Sequence, residues 1–366
     1  MLTSLKSSTA RALLCAGIAF LPCAAQAAKT ASVTIPFSNM SGKTVLTDSP
    51  TLPVSLSGDP AIHFLMDTGS TGIVVSSDNY TPPNGSVSDG PGQITYSSSG
   101  LTLYGNLYTT PVTFGVSGAT ASATVEILVA TTFKKCPRTG GTCSTGNATG
   151  TAMCGVGFGQ EGPNMPDGSP ATNPFLNLTA INGVTTVVAP AYILTTTGVT
   201  LGATPTMMKR FRQVALSWDT TKGDWDRAPF TMYINGVAGA GTALMDTGVG
   251  GMFLTPPYGQ TIQTTANCPV VGSNCPVTGT KIRIKIGSPG ANYAFVMGAD
   301  GVPATGTAAM PATVTADAAG ATPGDVGFVN TTYHIFNQFD YLYDYTTGVV
   351  GFRKSTTAGS SINPIR

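Results

Sequence analysis

Two short segments of this sequence carry the same chemistry. Phe64-Leu65-Met66-Asp67-Thr68-Gly69-Ser70 returns as Ala243-Leu244-Met245-Asp246-Thr247-Gly248-Val249, with the two aspartates 179 residues apart. An apolar run precedes each copy, and another follows it: Gly72-Ile73-Val74-Val75 in the first, Gly251-Met252-Phe253-Leu254 in the second. A single Asp-Thr-Gly reads as an ordinary turn, because Asp and Gly are common in turns. Two in matching surroundings, half a chain apart, indicate two related lobes that each present one carboxylate. Carboxylates about 3 Å apart cannot both ionise easily, so one pKa rises and the pair shares a proton. Such a pair can take a proton from water and give one to a carbonyl oxygen, with no metal or cofactor. The glycines permit close backbone approach, and the threonines can hydrogen-bond across to the other lobe.

The elements that hold these turns read as strands. Short β-branched and apolar runs recur at residues 61–66, 73–75, 101–103, 124–130 and 243–245, separated by Gly, Pro, Asn, Asp and Ser. Residues 281–286, Lys-Ile-Arg-Ile-Lys-Ile, alternate as a half-buried strand does. Only residues 174–178 and 332–339 suggest short helices. The fold class expected is all-β, in two pseudo-symmetric lobes with a cleft between them.

Composition narrows the chemistry further. Charged residues are 10% of the 366, against roughly 25% in an ordinary soluble domain, while hydrophobic residues reach 42%. A sizeable core is available, and charge-driven disorder is not expected. Eighteen basic and 17 acidic residues give a net charge of +1 with no basic patch, which argues against nucleic acid as a partner. His63 and His334 are the only histidines. No multi-histidine metal centre is therefore expected, and no metal or cofactor is assigned. His63, four residues before Asp67, reads as a strand residue. Trp218 and Trp225, beside Asp219, Asp224 and Asp226, read as a packing edge rather than a carbohydrate or calcium site, and Met207 to Arg212 as a solvated face.

Residues 1–27 read as an export signal. Lys6 and Arg11 precede an apolar stretch at 12–22, and Ala25-Gln26-Ala27 fits a cleavage site. A membrane anchor is the rival reading, but the stretch is short for a span and no later segment offers about 20 apolar residues. The expected location is outside the cytoplasm, periplasmic or secreted. Cys15 and Cys23 leave with the signal. Cys136 and Cys143, and likewise Cys268 and Cys275, are each separated by six residues rich in turn formers. In an exported chain these spacings point to two local disulfides, Cys136–Cys143 and Cys268–Cys275, with metal ligation as the rival. Cys154 is left over and reads as a small buried residue.

The paired motifs resemble those of the pepsin-like, bilobal (A1-type) aspartic peptidases, and the first, Asp-Thr-Gly-Ser-Thr-Gly with an aliphatic run after it, looks like bacterial members. Ile94 to Gly100 resembles the family's flap hairpin, with Tyr96 as the tyrosine that covers the cleft. The stretch from Gly105 to Gly115 resembles the strand after the flap. Gly155-Val156-Gly157-Phe158-Gly159 resembles the apolar-Gly segment behind the first catalytic turn, and Pro174 to Leu178 the short helix after it. Ile335 to Asp344 and Val350-Gly351-Phe352 resemble the closing strands. The resemblance implies an aspartic endopeptidase, acting as a monomer on polypeptides. Asp67 and Asp246 would be catalytic, with Thr68, Gly69, Ser70, Thr247 and Gly248 supporting them. The lobes would span residues 28–205 and 206–366.

Four departures qualify that expectation. Val249 stands where the family usually has Ser or Thr, so a hydrogen bond to Asp246 is missing unless another donor compensates. Without it, Asp246 is the better candidate for a raised pKa. Val74 replaces the tryptophan that holds the flap tyrosine in animal enzymes. Thr332 replaces the glycine of the second apolar-Gly segment. Only 40 positions separate the signal from Asp67, so no separate inhibitory propeptide is expected. Two alternatives follow. One is an inactive binding or inhibitor protein on the same fold. The other is a glycan-cleaving β-protein, whose carboxylates would stand about 5–10 Å apart.

Overall fold

The computed structural model describes residues 31–355, except 117, 138, 139, 271, 289 and 305. Residues 1–27, expected to be an export signal, lie outside the described residues. Almost every described element is a strand, and the runs singled out in the sequence coincide, to within one residue at Ala61 and Met245, with Ile62–Asp67, Thr71–Ser76, Leu101–Val116, Ala119–Lys135, Val237–Leu244 and Lys281–Gly287. The alternation of Lys281–Gly287 is realised: Ile282, Ile284 and Ile286 are fully buried, and the strand pairs with Ala228–Ile234 on one side and Gly290–Val296 on the other.

Three sheets make the body of the molecule. A ten-stranded sheet carries the first Asp-Thr-Gly, and a seven-stranded sheet carries the second. Between them lies a six-stranded antiparallel sheet. Its first half is Val33–Pro36, Gly198–Leu201 and Ala191–Leu194; its second is Phe339–Asp344, Val349–Lys354 and Arg212–Ala215. Strands from both ends of the chain thus share one floor. Tyr192, Tyr341 and Tyr343 are buried there, and Tyr343 stacks on Phe158 of the first lobe at 4.3 Å between ring centroids. The Tyr192 hydroxyl donates to the Val156 carbonyl at 2.9 Å. Offset aromatic contacts of this kind add to what their burial contributes, so the floor holds the two lobes firmly.

In each lobe the Asp-Thr-Gly turn joins two strands that are not neighbours, because a third runs between them. In the first lobe Ala152–Val156 is parallel to Ile62–Asp67 and antiparallel to Thr71–Ser76. In the second, Gly327–Asn330 is parallel to Val237–Leu244 and antiparallel to Gly251–Thr255. This inserted strand keeps each turn open and points its aspartate out of the sheet edge.

The flap is braced. Its strands Gly90–Tyr96 and Leu101–Val116 pair with each other, and the second also pairs along its whole length with Ala119–Lys135. At the tip the Cys136 N–H donates to the Gly100 carbonyl at 2.9 Å, and Cys136 is disulfide-bonded to Cys143. Thr95 N–H donates to the Asn164 carbonyl at 2.6 Å on the other edge. The second disulfide, Cys268–Cys275, is also formed, and Cys154 is free and buried.

One short element differs from expectation. Residues 174–178 form no helix but a set of turns leading into Leu178–Ile181. The Asn173 side chain accepts from Phe175 N–H, and the Asn177 amide donates to the carbonyls of Pro170, Ala171 and Asn173. Side-chain bonds of this kind satisfy the backbone locally and displace the helical pattern. Residues 332–339 do hold a helix, a single 3-10 turn at Tyr333–Asn337. Trp218 and Trp225 face each other across a two-stranded ribbon, edge to face, with the Trp225 indole donating to the Tyr345 carbonyl.

Candidate active site

Both aspartates sit at strand ends on the floor of a cleft of about 740 Å³, also lined by Tyr96, Gln160, Arg227 and Asn330. Asp67 and Asp246 are almost fully buried, and their carboxyls converge on one point: a Cβ on Gly248 would lie 2.6 Å from Asp67 Oδ1 and 3.1 Å from Asp246 Oδ1. Each carboxyl is also held by the amide two residues on: Gly69 N–H donates to Asp67 Oδ1, and Gly248 N–H to Asp246 Oδ1, both at 2.7 Å.

The threonines join the lobes. Thr68 N–H donates to Thr247 Oγ1 at 2.9 Å, and Thr247 N–H to Thr68 Oγ1 at 3.0 Å. Each hydroxyl then donates to a carbonyl of the opposite strand, Thr68 to Met245 and Thr247 to Met66. All of these groups are buried, so losing one would leave a desolvated donor or acceptor unpaired. The network fixes the two turns, and with them the spacing of the carboxyls.

The glycines are required by the opposite lobe. A Cβ on Gly69 would lie 2.3 Å from Asp246 Cγ, and one on Gly248 would lie 2.6 Å from Asp67 Oδ1. Neither carboxyl can withdraw, since each is tied down by hydrogen bonds. Gly248→Ala is therefore expected to spread the pair and to cost roughly 1–3 kcal/mol of stability through overpacking. Thermal unfolding, together with a cleavage assay, checks this, and an unchanged melting temperature would contradict the close approach.

The two aspartates differ in their remaining hydrogen-bond donor. Ser70 Oγ donates to Asp67 Oδ2 at 2.6 Å. Val249 has no such group, and Asn330 takes its place: Asn330 Nδ2 donates to Asp246 Oδ2 at 2.5 Å. The amide orientation is fixed chemically, because the Asn330 oxygen accepts the Thr332 N–H at 3.1 Å, and a backbone amide can only donate. Asn330 faces Leu244 in one neighbour and Phe253 in the other, the register that Met153 occupies against Leu65 and Val74. A cleft-facing methionine position in the first lobe is thus an amide donor in the second. Continuing that register places Thr332 opposite Asp246, as Gly155 is opposite Asp67. Thr332 has φ 67°, a left-handed conformation that favours glycine, and its hydroxyl accepts from His334 N–H.

Burial raises both carboxyl pKa values. For Asp67 the bonds from Ser70 and Gly69 oppose the rise. Asp246 is pushed well above the usual carboxylate range, because the Asp67 charge adds to burial; Asn330 and Gly248 oppose it only in part. Both shifts favour a proton shared by the pair, with Asp246 the better host, and the titration belongs to both groups together.

Residues 33–210 match the family described as the PE-PGRS C-terminal aspartyl peptidase-like domain. The three-dimensional structure matches that of the aspartic proteinase from Irpex lacteus with a TM-score of 0.51, over 91% of this chain and 100% of that one, at 14% sequence identity. The chain has the pepsin-like fold. A search of curated proteins returns no significant match. At that identity the likeness to the Irpex lacteus enzyme carries the fold alone, and the chemistry rests on the site itself.

Within this pepsin-like frame, Tyr96 ends the first flap strand and lines the cleft. Burial, and then the Asp67 charge, push its phenol well above its usual range. Its hydroxyl is buried without a partner among the described residues, and its ring packs against the cluster of Val74, Ile94, Leu103 and Leu128. Apolar contact replaces the tryptophan that Val74 displaces. His63 lines the cleft wall from an exposed strand position. Cys154 lies behind Asp67, and burial, with the Asp67 charge, pushes its thiol far up, so it is no nucleophile at ordinary pH. Asp224 is no cation ligand: it is buried and accepts Gly159 N–H at 2.6 Å and Trp225 N–H at 2.7 Å, tying the lobes beside the cleft. Among the described residues no three His, Cys, Asp or Glu side chains converge as a metal site, and no helix is long and apolar enough to cross a membrane. Two cleft-lining residues escaped sequence reasoning, Asn330 and Arg227. For Asn330 the available signal was an amide in the otherwise apolar run Gly327-Phe328-Val329, paired with the donor that Val249 lacks.

Proposed function

We propose that this chain is an exported aspartic endopeptidase, a bacterial A1-type member of the pepsin-like peptidases, that hydrolyses peptide bonds in polypeptides. The observation that carries this reading is the convergence of two buried carboxyls, one from each Asp-Thr-Gly turn, in one cleft. The lobes are assigned to residues 28–205 and 206–366, after a signal at 1–27, and the enzyme works as a monomer in the periplasm or outside the cell.

In this reading Asp67 is the ionised member and Asp246 the protonated one. A water held between them loses a proton to the Asp67 carboxylate as its oxygen attacks the peptide carbonyl carbon. The Asp246 proton passes to the carbonyl oxygen, giving a neutral gem-diol. Asp67 then gives its proton to the amide nitrogen, Asp246 recovers one from a diol hydroxyl, and the C–N bond breaks. The turn amides and the threonine network fix the carboxyls before substrate arrives, so little reorganisation is left for the reaction itself. Tyr96 closes over the bound peptide and offers its unpartnered hydroxyl.

Two observations speak against the rival readings. The Asn330 bond compensates for Val249, which weakens the argument for an inactive fold. Carboxyls that converge on one glycine leave no gap for a sugar ring between them, as the roughly 5–10 Å separation of glycoside hydrolysis would need. The test is cleavage of an unfolded polypeptide by the mature protein between about pH 3 and 7, with and without pepstatin. Pepstatin-sensitive cleavage is expected. A well-folded sample that cleaves nothing across that range would favour the binding-protein reading.

A further inference from the structure

The cleft wall contains a cation that the chemistry above does not use. Arg227 follows the strand Asp224–Trp225 and precedes Ala228–Ile234, and among the described lining residues it is the one Lys or Arg. It sits where the lobes meet. A Cβ on Gly159 of the first lobe would lie 2.6 Å from the Trp225 carbonyl, and Asp224 holds Gly159 N–H.

The guanidinium is fixed on two sides. Its Nη2 donates to Gln160 Oε1 at 3.2 Å, and its carbon lies 5.1 Å from the centre of the Phe328 ring. Gln160 and Phe328 also line the cleft. The Nε atom is buried and has no partner among the described residues. Two carboxyls are close enough to act on its charge, Asp246 and Asp226, but both are engaged. Asp246 accepts from Asn330 and Gly248, and Asp226 lies 3.5 Å from Lys222 Nζ. A planar cation held by an amide and a ring, with donors to spare, is preorganised for a carboxylate.

We propose that Arg227 forms a subsite for a substrate carboxylate, so that the cleft selects peptides bearing an acidic group near the scissile bond. This rests on the peptidase reading and adds to it a substrate class. The carboxylate has two possible sources, an Asp or Glu side chain and the C-terminus of a short peptide, and the test separates them.

The experiment uses quenched fluorescent peptides with Glu or Gln at each of three positions on either side of the scissile bond, each made with a free and an amidated C-terminus. At about pH 5.5, where a peptide Glu is ionised, kcat/KM is expected to favour Glu over Gln by about tenfold or more at one position. That preference should fade below about pH 4, as the peptide carboxyl takes up a proton. In Arg227→Gln the Glu/Gln ratio at that position should fall towards one, and in Arg227→Lys part of it should remain. If the Arg227-dependent preference is instead for the free over the amidated terminus, the subsite stands and the chain end is its ligand. Absence of any preference, or a preference that survives Arg227→Gln in a protein with the wild-type circular dichroism spectrum, overturns the proposal and leaves the peptidase reading intact. The same peptides are titrated into the Asp67→Asn protein by fluorescence anisotropy. An Arg227-dependent preference in binding, with no cleavage by the wild type, would keep the subsite and remove the peptidase.

Discussion

Asp67→Asn and Asp246→Asn each lower kcat on an unfolded polypeptide by about 10²- to 10⁴-fold, with KM changed far less. An amide can neither take the water proton nor give one to the carbonyl oxygen, yet it keeps the shape that Gly69, Gly248 and the threonines hold. The double variant should be little worse than either single one, because the pair acts as a unit. Stability gives an independent readout. Both carboxyl pKa values are raised by burial from an ordinary value of 3.8, so above that pH the folded protein binds more protons than the unfolded chain. The contribution of those protons is fully present below about pH 3.8 and is lost as pH rises through the raised folded values. Asp246→Asn removes that loss. Its melting temperature should exceed that of the wild type at pH 7, and the gap should close towards pH 4. His334 acts with the opposite sign. Burial lowers its pKa from 6.5, its Nδ1 bonds the Ala308 carbonyl and its Nε2 is buried without a partner among the described residues. Its contribution is present above about pH 6.5 and is lost as pH falls through the lowered folded value. Thermal unfolding of both proteins from pH 3 to 8 checks the signs; a gap that widens on acidification would refute the account.

The dyad was legible because its signal is identity at long range. Two copies of seven residues, in the same apolar setting, need no knowledge of pairing to be recognised as equivalent. The strands were legible for a related reason, since alternation along Lys281–Gly287 is a local property. What stayed hidden depends on register between distant strands. Asn330 is 84 residues from Asp246 in sequence, and only the pairing of Gly327–Asn330 with both Val237–Leu244 and Gly251–Thr255 brings its amide to the carboxyl. Arg227 is hidden for the same reason, since its meaning comes from Gln160 and Phe328. The missed turn at 174–178 has another origin: the Asn173 and Asn177 side chains compete with helical backbone bonds, and periodicity does not register that.

In the peptidase reading, the bracing of this hairpin limits how substrate enters. A hairpin joined on one edge to Ala119–Lys135 along its whole length, and on the other to Asn164, cannot swing freely as two isolated strands would. Its tip is further closed by the Cys136–Cys143 bond beside Gly100. Tyr96 is then positioned chiefly by packing on Val74 and its neighbours, and access falls to the exposed turn at Ser97–Gly100.

Asn330→Ala lowers kcat by roughly ten- to a hundredfold, the loss that corresponds to one hydrogen bond to a charged group, about 1.5–3 kcal/mol. The Asn330 bond favours the ionised form of Asp246, so its removal also moves the alkaline limb of the pH–rate profile to higher pH. A merely structural role would lower the amount of folded enzyme without moving that limb. The first lobe suggests how the donor can be restored, by a serine at position 249 acting as Ser70 does for Asp67. Serine alone should fail. A Cβ on Gly155 would lie 2.8 Å from Ser70 Oγ, and the second lobe already has such a Cβ at the equivalent place, on Thr332. Val249, Asn330 and Thr332 are therefore one coupled exchange: the glycine that makes room for a serine is unnecessary once the donor comes from the inserted strand. Adding Val249→Ser to Asn330→Ala should recover little, and adding Thr332→Gly as well should return part of kcat and bring the alkaline limb back. Glycine also suits the φ of 67° found at 332. An unchanged rate and an unmoved limb in Asn330→Ala would show that Asp246 does not depend on this amide.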